Sequence, residues 1–176
     1  GHAEGAKTLE KIVSEVFALK IPYITVFAFS TENWNRSPEE IESLMDLFRT
    51  YFKQHFQKFS DKGIKVNVIG DISAFPEDIQ RQINRLASEN TEARTGTLNV
   101  AMNYGSRSEI VRAVNLAIRR GVPVTEQSFN DLLYTAGMPD PDLVIRTSGE
   151  CRLSNFLLYQ SAYSELYFCR KMEVEI

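Results

Sequence analysis

Residues 24–37 read ITVFAFSTENWNRS, and Pro38 follows. Ile24 to Phe29 is a short, β-prone apolar run in which polar residues do not alternate, which predicts a central strand covered on both faces. Residues 30–37 form a polar loop. Pro38 suits the first turn of a helix, with Ser37 as its cap and Glu40 three residues after that cap. A strand, a polar loop and a capped helix in succession make a strand–helix unit of a layered α/β domain.

The same alternation continues on both sides. Upstream, Leu9, Ile12, Val13, Val16 and Phe17 recur at helical spacing, so Gly5 to Leu19 reads as an amphipathic helix. The helix opened by Pro38 is expected to run to Ser60 on a stripe of Ile41, Leu44, Met45, Phe48, Phe52, Phe56 and Phe59. Gly63 ends it, and Ile64 to Ile69 is a strand. Pro76 opens a helix with Ile79, Ile83, Leu86 and Ala87, and Thr97 to Met102 is the next strand. Ser106 to Arg120 is a helix with Ile110, Val111, Val114 and Ile118, closed by Gly121. Thr125 caps a short helix, Asp142 to Ile145 is a fourth strand, and an apolar segment spans Phe156 to Phe168. The expected fold is therefore α/β: a single domain with a central, mostly parallel β-sheet flanked by helices. In such sheets ligands bind beyond the carboxyl ends of the strands. The polar segments after Phe29, Ile69, Met102 and Ile145 fall there if the strands are parallel.

The chain has 176 residues, 43% hydrophobic and 24% charged, which excludes a mainly disordered polypeptide. Its formal net charge of -3 leaves no broad basic field and argues against nucleic acid as a partner. Cys151 and Cys169 permit at most one intrachain disulfide, and so low a number suits a reducing compartment better than a stapled secreted domain. No apolar run approaches the ~18 residues of a membrane span, and the first residues do not read as a secretory leader. The expectation is a cytoplasmic protein that can still touch the inner face of a membrane. Gly1 leads directly into a helical pattern, and Lys171 to Ile176 follows an apolar segment without a closing turn. Residues 1–176 are thus expected to be one domain truncated at both ends.

Four segments can carry chemistry. Arg146 to Asn155, RTSGECRLSN, places two guanidiniums, hydroxyls and a glycine directly after a strand. Guanidiniums bind phosphate oxygens in bidentate fashion, and hydroxyls with backbone N–H groups can complete an anion nest. Glu150 between the arginines can orient one of them, or the loop is merely solvated and self-neutralising. In STENWNR, Trp34 is the only tryptophan. There Glu32 suits a base or metal partner, Asn33 a positioning donor and Arg36 a phosphate clamp. The other reading is a loop pinned by Trp34 against the core with a solvated rim. His2, in GHAEG, can hold an anion at a helix start or serve only cap chemistry. Glu165, among Tyr163, Leu166, Tyr167 and Phe168, can pair with an arginine, bind a cation, sit at a subunit boundary or stand as an edge-strand charge. A single carboxylate cannot hold Mg²⁺. The aromatic stripe of the 38–60 helix reads first as core. Its phenylalanines would also line an apolar channel for a long hydrocarbon.

In these segments the chain resembles the cis-prenyltransferase family, and within it the bacterial undecaprenyl diphosphate synthases. The runs GHAEGA, FAFSTENWNR, IGD at 69–71, LNVAMNYGSR, DLVIRTSGE, RLSNFLLYQ and AYSELYF occur in the family's order, up to about Phe168. The resemblance implies Mg²⁺-dependent homodimers that add isopentenyl diphosphate units, in cis, to an allylic diphosphate such as farnesyl diphosphate. The bacterial product serves as the lipid carrier of cell-wall synthesis. By resemblance, Arg146, Arg152 and Ser154 bind isopentenyl diphosphate, and Glu165 assists with Mg²⁺ across the dimer interface. His2 matches a histidine near the diphosphate and the transferred proton. Glu32, Asn33, Trp34 and Arg36 match a mobile loop that closes on substrate; the resemblance implies that His2, Glu32, Asn33 and Arg36 are catalytic and that His2, Ser30, Glu32, Trp34 and Arg36 bind substrate. Ala28, Leu44, Met45, Phe48 and Leu98 fall along the product tunnel. The family also has an earlier strand ending in an Asp-Gly-Asn-Gly-Arg type motif, whose Asp holds Mg²⁺, and a Trp-Pro pair after the last strand. The first precedes Gly1 and the second is replaced by CRKMEVEI, so a chain of these residues alone is expected to lack a metal ligand. The alternative function is a non-catalytic lipid-binding or regulatory subunit of a prenyltransferase. A phosphoryl-handling enzyme finds no nucleophile beside a base.

Overall fold

The computed structural model describes residues 2–89 and 94–170. The chain divides after Asn103 into two compact units. In the first, the elements run α1 (His2–Ala18), β1 (Tyr23–Ser30), a 3₁₀ turn (Thr31–Asn35), α2 (Pro38–Gln54), α3 (Phe56–Asp61), β2 (Ile64–Ile69), α4 (Glu77–Glu89) and β3 (Gly96–Tyr104). In the second they are α5 (Ser106–Arg120), α6 (Glu126–Asn130), β4 (Leu143–Arg146) and β5 (Glu165–Phe168). The expected alternation of strands and helices is present, and the fold is α/β with a mostly parallel sheet.

Three strands form one sheet in the order β1-β3-β2. β2 and β3 are parallel, with Ile64 opposite Gly96 and Ile69 opposite Ala101. The centre of this sheet is β3, in which all nine residues are buried. Among the described residues β1 pairs on one side only, with β3, and is mostly half-buried, where the sequence pattern suits a central strand covered on both faces. An unbroken apolar run does not specify a central position, because one face of an edge strand can be apolar without full burial. β3 carries polar residues into the centre by pairing them across strands. Asn67 Nδ2 donates to Asn99 Oδ1 at 3.1 Å, and Asn99 Nδ2 donates to Thr25 Oγ1 at 3.2 Å. Buried amides are tolerated when bonded, and this ladder also fixes the register.

The core of this unit gathers Val13 and Phe17 of α1, Phe29 of β1, Met45 and Phe48 of α2, and Phe56 and Phe59 of α3. Phe75, Ile79 and Ile83 complete it with the inward residues of β2 and β3. Burying each such side chain contributes roughly 1.5–3 kcal/mol. The cap of α2 is as expected: Glu40 N–H donates to Ser37 Oγ at 3.3 Å, and Ser37 N–H donates to Glu40 Oε2 at 3.2 Å. The single helix expected to Ser60 is instead two helices, α2 and α3, joined at His55. His55, which caps both helices, has φ −110 and ψ −38, and its ring is held by Glu10 of α1. The stripe of apolar residues continues across the joint, so periodicity alone does not reveal it.

In the second unit β4 and β5 are parallel. Ala113, Leu132 and Leu133 form a small core. α5 has the expected bounds and closes on Gly121 in the left-handed conformation. Its apolar stripe does not face that core: Val111, Val114 and Ile118 are exposed. The buried face of α5 is Ser106, Glu109 and Ala113. No helix among the described residues is long and apolar enough to cross a membrane.

Candidate active site

In the first unit, the ends of all three strands meet. β1 ends at Ser30 and runs straight into the turn Thr31–Asn35. Ser30 N–H donates to Asn33 Oδ1 at 2.9 Å, and Arg36 N–H donates to the Asn33 carbonyl at 3.2 Å. Asn33 thus shapes the turn with both its side chain and its backbone. Trp34 turns inward, with its ring centroid 4.9 Å from that of Phe29 and 5.5 Å from that of Phe75. Its Nε1–H donates to Asn103 Oδ1 at 2.8 Å. Asn103 Nδ2 donates in turn to the Asp71 carbonyl at 2.7 Å, and Asp71 N–H donates to the Asn103 carbonyl at 3.3 Å. Gly70 makes this approach sterically feasible: with φ +123, a Cβ there would lie 2.0 Å from the Met102 carbonyl oxygen.

Trp34 therefore does pin the loop against the core, and the outer side of the loop is the solvated rim. Glu32 and Arg36 are exposed. Arg36 pairs with Glu40 at 3.7 Å. Of the expected tunnel residues, Met45, Phe48 and Leu98 are buried in the core, Leu44 packs against it and Ala28 is exposed. His2 begins α1, and its side chain lies outside the described residues, as does the tail from Lys171.

The second unit holds the arginine loop at the carboxyl end of β4. Arg146 Nη1 donates to Ser154 Oγ at 2.6 Å and to the Arg152 carbonyl at 2.5 Å. Arg152 pairs with Glu150. The structure thus brings Arg146, Arg152 and Ser154 together, with Glu150 orienting Arg152. The backbone is unusual here. Ser148, Ser154, Asn155 and Leu157 have positive φ, as does Gly149. Gly149 N–H donates to the Cys169 carbonyl and Cys169 N–H to the Arg146 carbonyl, both at 2.9 Å, which ties the loop to the end of β5. The first turn of α5 clamps the other side: Ser106 N–H donates to the Asn155 carbonyl at 2.8 Å and Arg107 N–H to Asn155 Oδ1 at 2.9 Å. Two guanidiniums in a hydrogen-bonded loop, one of them half-buried and the other exposed, suit an oxyanion such as a diphosphate.

Glu165 is not part of this cluster. It is exposed at the start of β5, opposite Leu143, whereas Phe168 is opposite Arg146. The offset is about 10 Å along the strands, at ~3.3 Å per residue. Among the described residues no three His, Cys, Asp or Glu side chains group to hold a metal. The described residues do not by themselves make a Mg²⁺ site, and Glu165 fits only as one oxygen donor among others.

Three residues at or beside these sites were not singled out by their sequence pattern. Asn103 and Asn155 lie inside the runs LNVAMNYGSR and RLSNFLLYQ, where only a polar residue in an apolar or loop setting could flag them. Glu109 is 1% exposed. Its carboxylate accepts from the Tyr104 hydroxyl, from Gln160 Nε2 at 3.1 Å and from Tyr134 N–H at 2.8 Å. Burial, reinforced by Glu109, pushes the Tyr104 hydroxyl well above the ordinary phenol range. At its position in α5 the sequence shows only a charged residue in a helical turn, so its burial is not legible there.

Comparison with known proteins identifies the chemistry. The family model described as "Putative undecaprenyl diphosphate synthase" matches residues 1–173. An isoprenyl transferase of Fusobacterium nucleatum is 50% identical over 95% of this chain and 73% of its own length. One from Clostridium perfringens is 47% identical over 96% of this chain and 69% of its own. The crystal structure of a probable undecaprenyl diphosphate synthase from Campylobacter jejuni superposes with a TM-score of 0.90 at 29% identity, covering 100% of this chain and 84% of that one. Lavandulyl diphosphate synthase from Lavandula x intermedia, solved with dimethylallyl diphosphate, gives 0.91 at 31% identity, covering 100% of this chain and 79% of that one. The chain belongs to the undecaprenyl diphosphate synthase family of cis-prenyltransferases, whose reaction condenses isoprenoid units onto an allylic diphosphate.

Proposed function

We propose that this protein extends farnesyl diphosphate, or a similar allylic diphosphate, with isopentenyl diphosphate units to a long-chain polyprenyl diphosphate. The observation that carries the reading is the cluster of Arg146, Arg152 and Ser154 at the carboxyl end of β4, in a chain of this family. Arg146 and Arg152 hold the diphosphate of isopentenyl diphosphate. Fixing one substrate by its diphosphate lowers the entropy cost of its encounter with the other. The double-bond electrons of isopentenyl diphosphate then form a bond to the allylic carbon. The carbon–oxygen bond there breaks, and its electron pair leaves with the diphosphate. Loss of a proton next to the resulting cationic carbon gives the new cis double bond.

The turn carrying Ser30, Glu32, Asn33, Trp34 and Arg36 serves the allylic substrate, with His2 near the transferred proton. Ala28, Leu44, Met45, Phe48 and Leu98 accommodate the growing chain. Mg²⁺ dependence, a homodimer and contact with the inner face of the membrane belong to the same proposal. Glu165 would contribute one hard oxygen to the ion, which prefers oxygen ligands.

The test is incorporation of labelled isopentenyl diphosphate with farnesyl diphosphate as primer, with Mg²⁺ and then with chelator. Metal-dependent long-chain product supports the reading. Binding of the diphosphates without product would replace it with a non-catalytic subunit. Within an active protein, Arg152→Ala is expected to raise KM for isopentenyl diphosphate at least tenfold, with a smaller change in kcat. An unchanged kcat/KM for that substrate would remove Arg152 from the site.

A further inference from the structure

Asn103 is 8% exposed and sits at the carboxyl end of the most buried strand. Its φ of 46 lies in the left-handed region, where asparagine is among the best-tolerated residues other than glycine. An apolar side chain would suit the surrounding core better, because a buried amide is costly unless bonded. Both ends of this amide are bonded, and neither bond serves the core. The oxygen accepts from Trp34 in the turn after β1, and the nitrogen donates to the backbone of Asp71 just after β2. The outer residues of the turn, Glu32 and Arg36, are exposed, and the Arg36–Glu40 pair is an exposed contact of 3.7 Å. Trp34 packs inward from the turn against Phe29 and Phe75, and its indole N–H is bonded to Asn103.

We propose that Asn103 is a positioning residue for the prenyl-transfer reaction. By holding Trp34, it keeps the Thr31–Asn35 turn in the arrangement that receives the allylic diphosphate. This rests on the function proposed above, in which the isopentenyl substrate is held by Arg146 and Arg152 and the turn serves the other substrate. If the turn samples other arrangements without Asn103, apparent affinity for the allylic substrate falls by the fraction of time spent in the competent one. Affinity at the Arg146 cluster does not depend on that fraction.

Trp34 is the only tryptophan, so intrinsic fluorescence reads this turn alone. Asn103→Gly keeps the left-handed backbone and removes the amide. Asn103→Asp keeps an acceptor for Trp34 and loses the donor to Asp71. Without substrate, Asn103→Gly is expected to raise acrylamide quenching of Trp34 at least twofold with unchanged far-UV circular dichroism, and Asn103→Asp to raise it less. By calorimetry, Asn103→Gly is expected to weaken farnesyl diphosphate binding about tenfold while isopentenyl diphosphate binding stays within twofold. Trp34→Phe should weaken farnesyl diphosphate binding similarly, and the double variant no further, because the two act as one unit.

Unchanged quenching in Asn103→Gly overturns the proposal, as does changed quenching with unchanged farnesyl diphosphate affinity. A loss of circular dichroism signal in Asn103→Gly would assign Asn103 to folding, unless Trp34→Phe, which keeps an aromatic ring in the core, still weakens binding. If the wild-type protein binds neither diphosphate, the function proposed above fails. If the wild type binds both and Asn103→Gly binds both equally well, only the role of Asn103 fails.

Discussion

Arg146 is held by geometry that a point charge cannot reproduce. One of its terminal nitrogens reaches both Ser154 Oγ at 2.6 Å and the Arg152 carbonyl at 2.5 Å. The rest of the planar fork is left for a bidentate anion. Arg146→Lys keeps the charge but cannot keep the loop closed while binding an anion. It is expected to raise KM for isopentenyl diphosphate roughly tenfold, read by steady-state kinetics at saturating primer. A change under twofold would mean that charge alone matters at this position. The residues proposed to touch substrate stand out in the sequence because two arginines, hydroxyls and a lone tryptophan fall in polar loops directly after apolar runs. Asn103, Glu109 and Asn155 do not. Their roles come from partners distant in sequence, such as Trp34, 69 positions from Asn103.

The joint between α2 and α3 shows the same gap at the scale of elements. A continuous apolar stripe from Ile41 to Phe59 was read as one helix, and its packing role was read correctly. At the break, His55 is held by Glu10, 45 residues away. That contact also sets a pH dependence. Burial acts to raise the Glu10 carboxyl, but the hydrogen bond from His55 and the charge of Lys58 outweigh it, so Glu10 lies below its ordinary 4.5. A carboxylate lowered on folding adds stability above its unfolded value, which is lost as pH falls through its folded value. Glu10→Gln is therefore expected to be less stable than wild type at neutral pH. The difference should shrink as pH falls below 4.5, measured by urea midpoints at a series of pH values. A constant difference across that range would sever the link to Glu10 ionisation. Tyr51, packed against His55 and pushed up to about 12 by burial and by Glu10, stays neutral throughout.

Across the whole molecule, burial is concentrated in β3, whose nine residues are all buried, whereas three of the four residues of β5 are exposed. Amide hydrogen exchange follows such differences, because exposed, sparsely packed elements open at lower free energy. Leu98, Val100 and Met102 are expected to exchange slowest, and the amides of β5 much faster. Equal protection in both would mean that a single global opening governs exchange. The sequence pattern indicated the α/β class and almost every element, since alternating apolar periods and caps are local signals. It did not indicate which strand is central, because that depends on pairing, and the polar Thr97, Asn99 and Asn103 disguised the most buried one. It also did not indicate that Val111, Val114 and Ile118 of α5 face outward. That outward face has a practical consequence for colloidal behaviour. With Val122 and Val124 it leaves a row of aliphatic side chains in water, against a formal net charge of only -3 to keep molecules apart. Strongly excluded salts such as sulfate should precipitate this chain at low concentration, and a mild non-ionic detergent should hold it in solution.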